Sequence, residues 1–149
     1  MQKWTQLSQG LLDRILSNTK KFKTLRKKGP PSDWQAEVEL VSLVHMTRLN
    51  AQFRKKKYPT DILSFPALPI FRQQGILGTL VVCLPVLKKQ AKEWNHTPEV
   101  ELEILLVHGM LHLLGFDHET PTETKKMRYW ESQLLKAHGH RGLIKRLLF

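Results

Sequence analysis

Apolar positions along the 149-residue chain change period several times, and each change marks an expected element. Leu7, Leu11, Leu12, Ile15 and Leu16 recur at helical spacing and predict an amphipathic helix over about residues 7–26. Glu37 to Val44 (EVELVSLV) alternates as a half-buried strand does. Met46 to Lys55 reads as a short helix whose basic end suits its C-terminal dipole. Two further strands are expected at Asp61 to Phe65, closed by Pro66, and at Ile76 to Leu84, closed by Pro85, with 68–75 as a hairpin connection.

Beyond Pro85 the helical period returns in Val86, Leu87, Ala91 and Trp94. A longer helix then opens with Thr97 as N-cap, Pro98 in the first position, and Glu99, Glu101 and Glu103 facing the positive end of the dipole. It should run to Leu114, where Gly115 stands at the place of a left-handed C′ residue. A last helix over Thr122 to Ala137 precedes a basic tail. This order predicts an α+β fold, a small mixed sheet covered by helices, in a single domain spanning 1–149. No fixed-period repeat suggests a solenoid.

Charge narrows the picture. The chain carries 24 Lys and Arg against 13 Asp and Glu, a net +11 that favours a polyanionic partner such as nucleic acid or an acidic membrane. Residues 1–75 hold 14 of the basic and 5 of the acidic groups, concentrated in Lys20 to Lys28 and Arg54 to Lys57. Cys83 is the single cysteine, which excludes an internal disulfide and a thiolate zinc site and favours a reducing compartment. Ile104 to Val107 is the longest aliphatic run, far below the ~18 residues of a membrane span. The first twenty residues lack the apolar core of a signal peptide, so a cytoplasmic protein is expected.

The chemistry concentrates in HGMLHLLGFDH, residues 108–118. His108 and His112 project from one helical face and can hold the same metal ion. Were the helix to continue, His118 would lie roughly 15 Å along the axis from His108. Gly115 permits the left-handed turn that brings it back. The spacing is that of the metzincin, or zincin-like, metal site, with Gly109 where those peptidases carry the Glu that acts as general base. Metal binding is thus expected while the proteolytic reading weakens. Three neutral imidazoles leave Zn²⁺ a fourth, open position, at which water has a pKa near ~7.

At these residues the chain resembles the YbeY family of bacterial metallo-endoribonucleases, the rRNA maturation factors. The likeness rests on 108–118 together with LNAQFRKKKYPTDILSFP (49–66), and LGTLVVC (77–83) with Gln90-Ala91 keeps the family's order between them. It covers about residues 37 to 130. The resemblance implies a single-strand-specific endoribonuclease acting in rRNA maturation, at the 3′ end of 16S rRNA, and in ribosome quality control. It implies one zinc ion on His108, His112 and His118, and Arg54 as a catalytic arginine. RNA is the implied partner, with the small ribosomal subunit and assembly factors beside it. In this setting Arg54 can hold the phosphodiester bidentately, while Lys55, Lys56 and Lys57 track flanking phosphates.

The chain departs from the family in two places. Thr79 stands where an acid usually follows Leu-Gly, and no clear opening strand precedes residue 37, although Lys3 to Leu7 could supply a short one. Asp117, beside the third histidine, can orient an imidazole or accept from the backbone, whereas Asp61 reads as a structural hydrogen-bonder. Glu101 is explained by the helix dipole, and His45, His96, His138 and His140 by surface positions. Two other functions compete: a zinc peptidase, against which Gly109 argues, and an RNA-binding module with a structural metal, which would need a fourth ligand.

Overall fold

The computed structural model describes residues 2–139. Three strands, β1 (Gln35–Val41), β2 (Ile62–Pro66) and β3 (Ile76–Cys83), form a mixed sheet in the order β1-β3-β2. β1 runs parallel to β3 with Val38 opposite Leu80, and β2 runs antiparallel to it with Ile62 opposite Val82. The central strand is apolar along most of its length because it is covered on both faces. Helices supply those covers, so the architecture is the expected α+β class.

On one face, Ala36, Val38, Ile62, Leu80 and Val82 enter the main core with helices α1 (Gln2–Asn18), α5 (Leu84–Glu93), α6 (Pro98–Leu113) and α7 (Pro121–Ala137). On the other, Val41, Leu63, Val81 and Cys83 pack on Met46 and Leu49 of α3 (Leu43–Arg54). α6 is the central helix, with Leu102, Leu106, Val107, Met110 and Leu111 all buried. A helix apolar around most of its circumference has to be enclosed, and this one is, by the sheet, α1, α5 and α7. No helix among the described residues is long and apolar enough to cross a membrane.

Several boundaries differ from the sequence pattern. The helix expected over 7–26 is three pieces: α1, a 3-10 turn at Thr19–Lys21, and the one-turn α2 (Lys23–Arg26). Phe22 leaves the helical path (φ −116°, ψ 90°), and its ring meets Trp130 of α7 edge-on. The alternation of 37–44 merges two elements. β1 ends at Val41, and Ser42 caps α3 by accepting from the His45 N–H at 3.1 Å, leaving Leu43 and Val44 exposed in the first helical turn. The hairpin connection of 68–75 holds a single helical turn, α4 (Pro69–Arg72).

Lys3 to Leu7 is no strand but part of α1, so the outer edge of β1 has no strand beside it from that segment. The Gln9 side chain takes up part of the pairing instead. Its amide donates to Ala36 O at 2.9 Å, and its carbonyl accepts from Val38 N at 3.1 Å, satisfying two edge groups that a neighbouring strand would otherwise bond.

Candidate metal centre

The site is built where α6 stops. Thr97 caps the helix by accepting from Val100 N, and Pro98 opens it, as the sequence signals. At the other end Gly115 takes φ 97° and donates its N–H to His112 O at 2.9 Å, while Phe116 donates to Leu111 O at 3.0 Å. These two bonds are the Schellman arrangement, which satisfies the last carbonyls and reverses the chain. Arg72 adds a bond to Leu113 O at 2.7 Å, and Phe116 packs on the core. The reversal returns His118 to the face that carries His108 and His112.

All three imidazoles converge. Nε2 of His108 and Nε2 of His112 are 3.1 Å apart, and the His118 ring centroid lies 5.8 and 5.2 Å from theirs. One nitrogen from each ring falls within 4.8 Å of the others. Tetrahedral ligands at a Zn–N distance of about 2.0–2.1 Å stand about 3.3–3.4 Å apart, so small movements close this set on an ion. Burial, with His108 and His118 beside it, lowers the His112 pKa to about 4, so its lone pair is free at neutral pH.

The outward nitrogens also have partners. Glu131 on α7, 4% exposed, places Oε1 3.5 Å from His108 Nδ1, which favours the tautomer that keeps Nε2 bare. His112 hydrogen-bonds the Phe116 backbone. Carboxylate and carbonyl partners of this kind orient metal-binding histidines, so the donor set fits a divalent ion with nitrogen preference. The sequence reading missed Glu131. Its signal was an acid on the apolar stripe of α7, among Met127, Leu134 and Leu135.

Gly109 has a steric reason. A Cβ there would stand 2.8 Å from both Ile62 Cδ1 and Leu80 Cδ2, because α6 lies directly against β2 and β3. The position of the peptidase glutamate therefore points into the sheet contact, and Ser64 of β2 reaches the Gly109 carbonyl at 3.3 Å.

Arg54 is the last residue of α3, and it is exposed together with Lys55, Lys56 and Lys57. α3 covers the sheet face opposite α6. Edge strand β2 lies between the two groups, with Phe65 touching Phe53 on one side and Ser64 touching α6 on the other. Thr79 pairs with Phe65 across the strands.

Of the remaining candidates, Asp117 accepts from the His118 backbone N–H at 2.7 Å and stays 3.7 Å from its ring, so it serves the turn. Asp61 likewise accepts from Ile62 N at 2.7 Å. The surface assignment of His96 is corrected, and Glu101 does more than face the helix dipole. Glu101 is fully buried and bonds His96 Nε2 at 2.5 Å, which leaves the His96 side chain 9% exposed. Gln90, with its amide turned to donate, joins Glu101 and Asp61 at 3.1 Å each. A buried carboxylate requires such partners, so this cluster ties the start of α6 to α5 and the entrance of β2. His138 meets Asn18 at 3.0 Å, joining α7 to α1, while His45 is exposed and His140 lies outside the described residues, as does the basic tail.

Residues 2–139 match the family model described as Endoribonuclease YbeY. A protein of that name from Polynucleobacter asymbioticus is 41% identical over 113 residues, covering 76% of this chain and 72% of the relative. Another, from Halalkalibacterium halodurans, is 31% identical over 145 residues, covering 91% and 89%. The solution structure of a Thermotoga maritima protein is similar with a TM-score of 0.51 and 29% identity, covering 87% of each chain.

Proposed function

Because the chain belongs to the YbeY endoribonuclease family, we propose that it is a metal-dependent endoribonuclease, a single domain over residues 1–149 that cuts single-stranded RNA at the centre formed by His108, His112 and His118. The observation that carries this reading is the convergence of three imidazoles, with no fourth His, Cys, Asp or Glu in the same group among the described residues. A structural metal uses four protein ligands, whereas a catalytic one keeps a position open. Zinc suits this donor set. When bound it supplies a Lewis acid that polarises the phosphodiester and acidifies water.

The chain's own residues do the rest. Glu131, beside His108 Nδ1, would orient the ring and leave Nε2 free to hold the metal. Arg54 offers a planar fork to the phosphate and offsets charge gained in the transition state, and Lys55, Lys56 and Lys57 follow neighbouring phosphates. For Arg54 and the histidines to meet one substrate, the RNA strand has to pass the β2 edge that separates them. The space beside Gly109 opposes a peptidase glutamate there.

The family likeness extends the proposal to maturation of the 16S rRNA 3′ end and ribosome quality control in the cytoplasm, with the small ribosomal subunit and assembly factors as partners. The test incubates purified protein with single-stranded RNA and with casein, comparing wild type with His112→Ala and Arg54→Ala. RNA should be cut by wild type and poorly by either variant. Undiminished cutting by both variants would refute the site, and casein cleavage with intact RNA would favour the peptidase.

A further inference from the structure

Two large exposed side chains bracket the basic run. Phe53 and Tyr58, each 56% exposed, stand on either side of Arg54-Lys55-Lys56-Lys57. The Phe53 ring is held by a neighbouring ring, and Tyr58 is anchored at its backbone. The Phe53 ring meets Phe65 edge-on at 5.0 Å and 75°, so β2 fixes its orientation. Tyr58 is fixed through its backbone: the buried Asn50 donates Nδ2 to Tyr58 O at 2.7 Å, and Lys56 N donates to Asn50 O at 3.3 Å. Asn50 lies about one turn before Phe53 on α3, so the segment after the helix folds back on its last turn. Lys55, in the left-handed conformation (φ 57°, ψ 32°), makes that reversal. One end of α3 therefore carries two exposed aromatic side chains and four cations, and no acid occurs from Leu49 to Thr60.

Resting on the endoribonuclease reading, we infer that Phe53 and Tyr58 form a base-stacking platform that selects single-stranded RNA, the intervening cations taking the phosphates. Charge alone attracts any polyanion, duplex included. Aromatic faces attract bases only where these are unstacked and can splay out, which a duplex forbids. Exposed aromatics interleaved with cations suit a flexible strand bearing planar groups between phosphates. Preference for single strands thus resides in the two rings, while the cations set overall affinity.

The test measures binding of the full-length protein to a short 2′-O-methyl oligoadenylate, checked to be intact afterwards, to the same strand annealed to its complement, and to inorganic polyphosphate. Phe53→Leu and Tyr58→Leu remove more than half-exposed rings, and thermal melts confirm that each variant folds. Each should weaken the single strand by roughly tenfold while leaving polyphosphate and duplex unchanged. Lys55→Gln should weaken all three ligands together. If either ring variant binds the single strand like wild type, or loses polyphosphate equally, the platform is wrong. Wild-type protein that cuts RNA yet gives that result sinks this inference alone. Protein that neither binds nor cuts RNA sinks the endoribonuclease reading with it.

Discussion

Replacing Glu131 by Gln should cost metal affinity without disturbing the fold. The carboxylate is buried, 3.5 Å from His108 Nδ1, and the substitution keeps its volume and an accepting oxygen while removing its charge. Two full charges at that separation would interact by about 5 kcal/mol at an effective dielectric of 20. A ligated imidazole carries only part of the ion's charge, so the expected loss is smaller, about 1.4–2.8 kcal/mol, or 10- to 100-fold in affinity. Glu131→Ala should lose more, because no acceptor then remains beside His108 Nδ1 to orient the ring. Competition against a chromogenic zinc chelator at neutral pH reads the affinity directly, and circular dichroism confirms folding. Glu131→Gln that holds zinc within twofold of wild type would show that Glu131 merely packs α7 on α6.

Other consequences follow from the same geometry. Gly109→Ala adds a methyl 2.8 Å from Ile62 and Leu80, whose tips cannot retreat freely because Leu80 is fully buried. Overpacking of about 1–3 kcal/mol outweighs the helix gain of about 0.5–1 kcal/mol, so the melting temperature should fall by about 2–6 °C; an unchanged or raised value would contradict the close α6 contact. In the metal-free protein, His112 has its pKa lowered to about 4 from 6.5, so the unfolded chain takes up the proton first. The associated stability is complete above about pH 6.5 and is lost as pH falls toward 4, on the order of 2 kcal/mol after a discount for the ring's partial exposure. Urea titrations of wild type and His112→Gln should converge over that window, and a constant difference between them would refute the shift.

Much of the site was legible because its signals are local. Thr97-Pro98 and Gly115 specify the ends of α6 through caps that involve residues only a few positions away, and the histidine spacing follows from helix geometry once those ends are known. Glu131 escaped because its link to His108 joins two helices in space, and an acid on a helix face reads first as solvated. His96 and Glu101 escaped for a related reason: the dipole already explained an acid in the first turn, and nothing local announces that this turn is buried against α5. In EVELVSLV, alternation continued past the end of β1, since Leu43 and Val44 keep a strand-like pattern while Ser42 starts a helix. The break after α1 comes where Phe22 leaves the helical path to meet Trp130, a contact more than a hundred residues away.

Metal-stripped protein titrated with zinc, with RNA cleavage followed at each addition, tests the histidine centre most directly. Cleavage should be absent without metal, rise to a plateau at one zinc per chain, and fail to return in His112→Ala. Cleavage that survives complete removal of metal, or that returns in His112→Ala on adding zinc, would contradict a catalytic ion held by His108, His112 and His118.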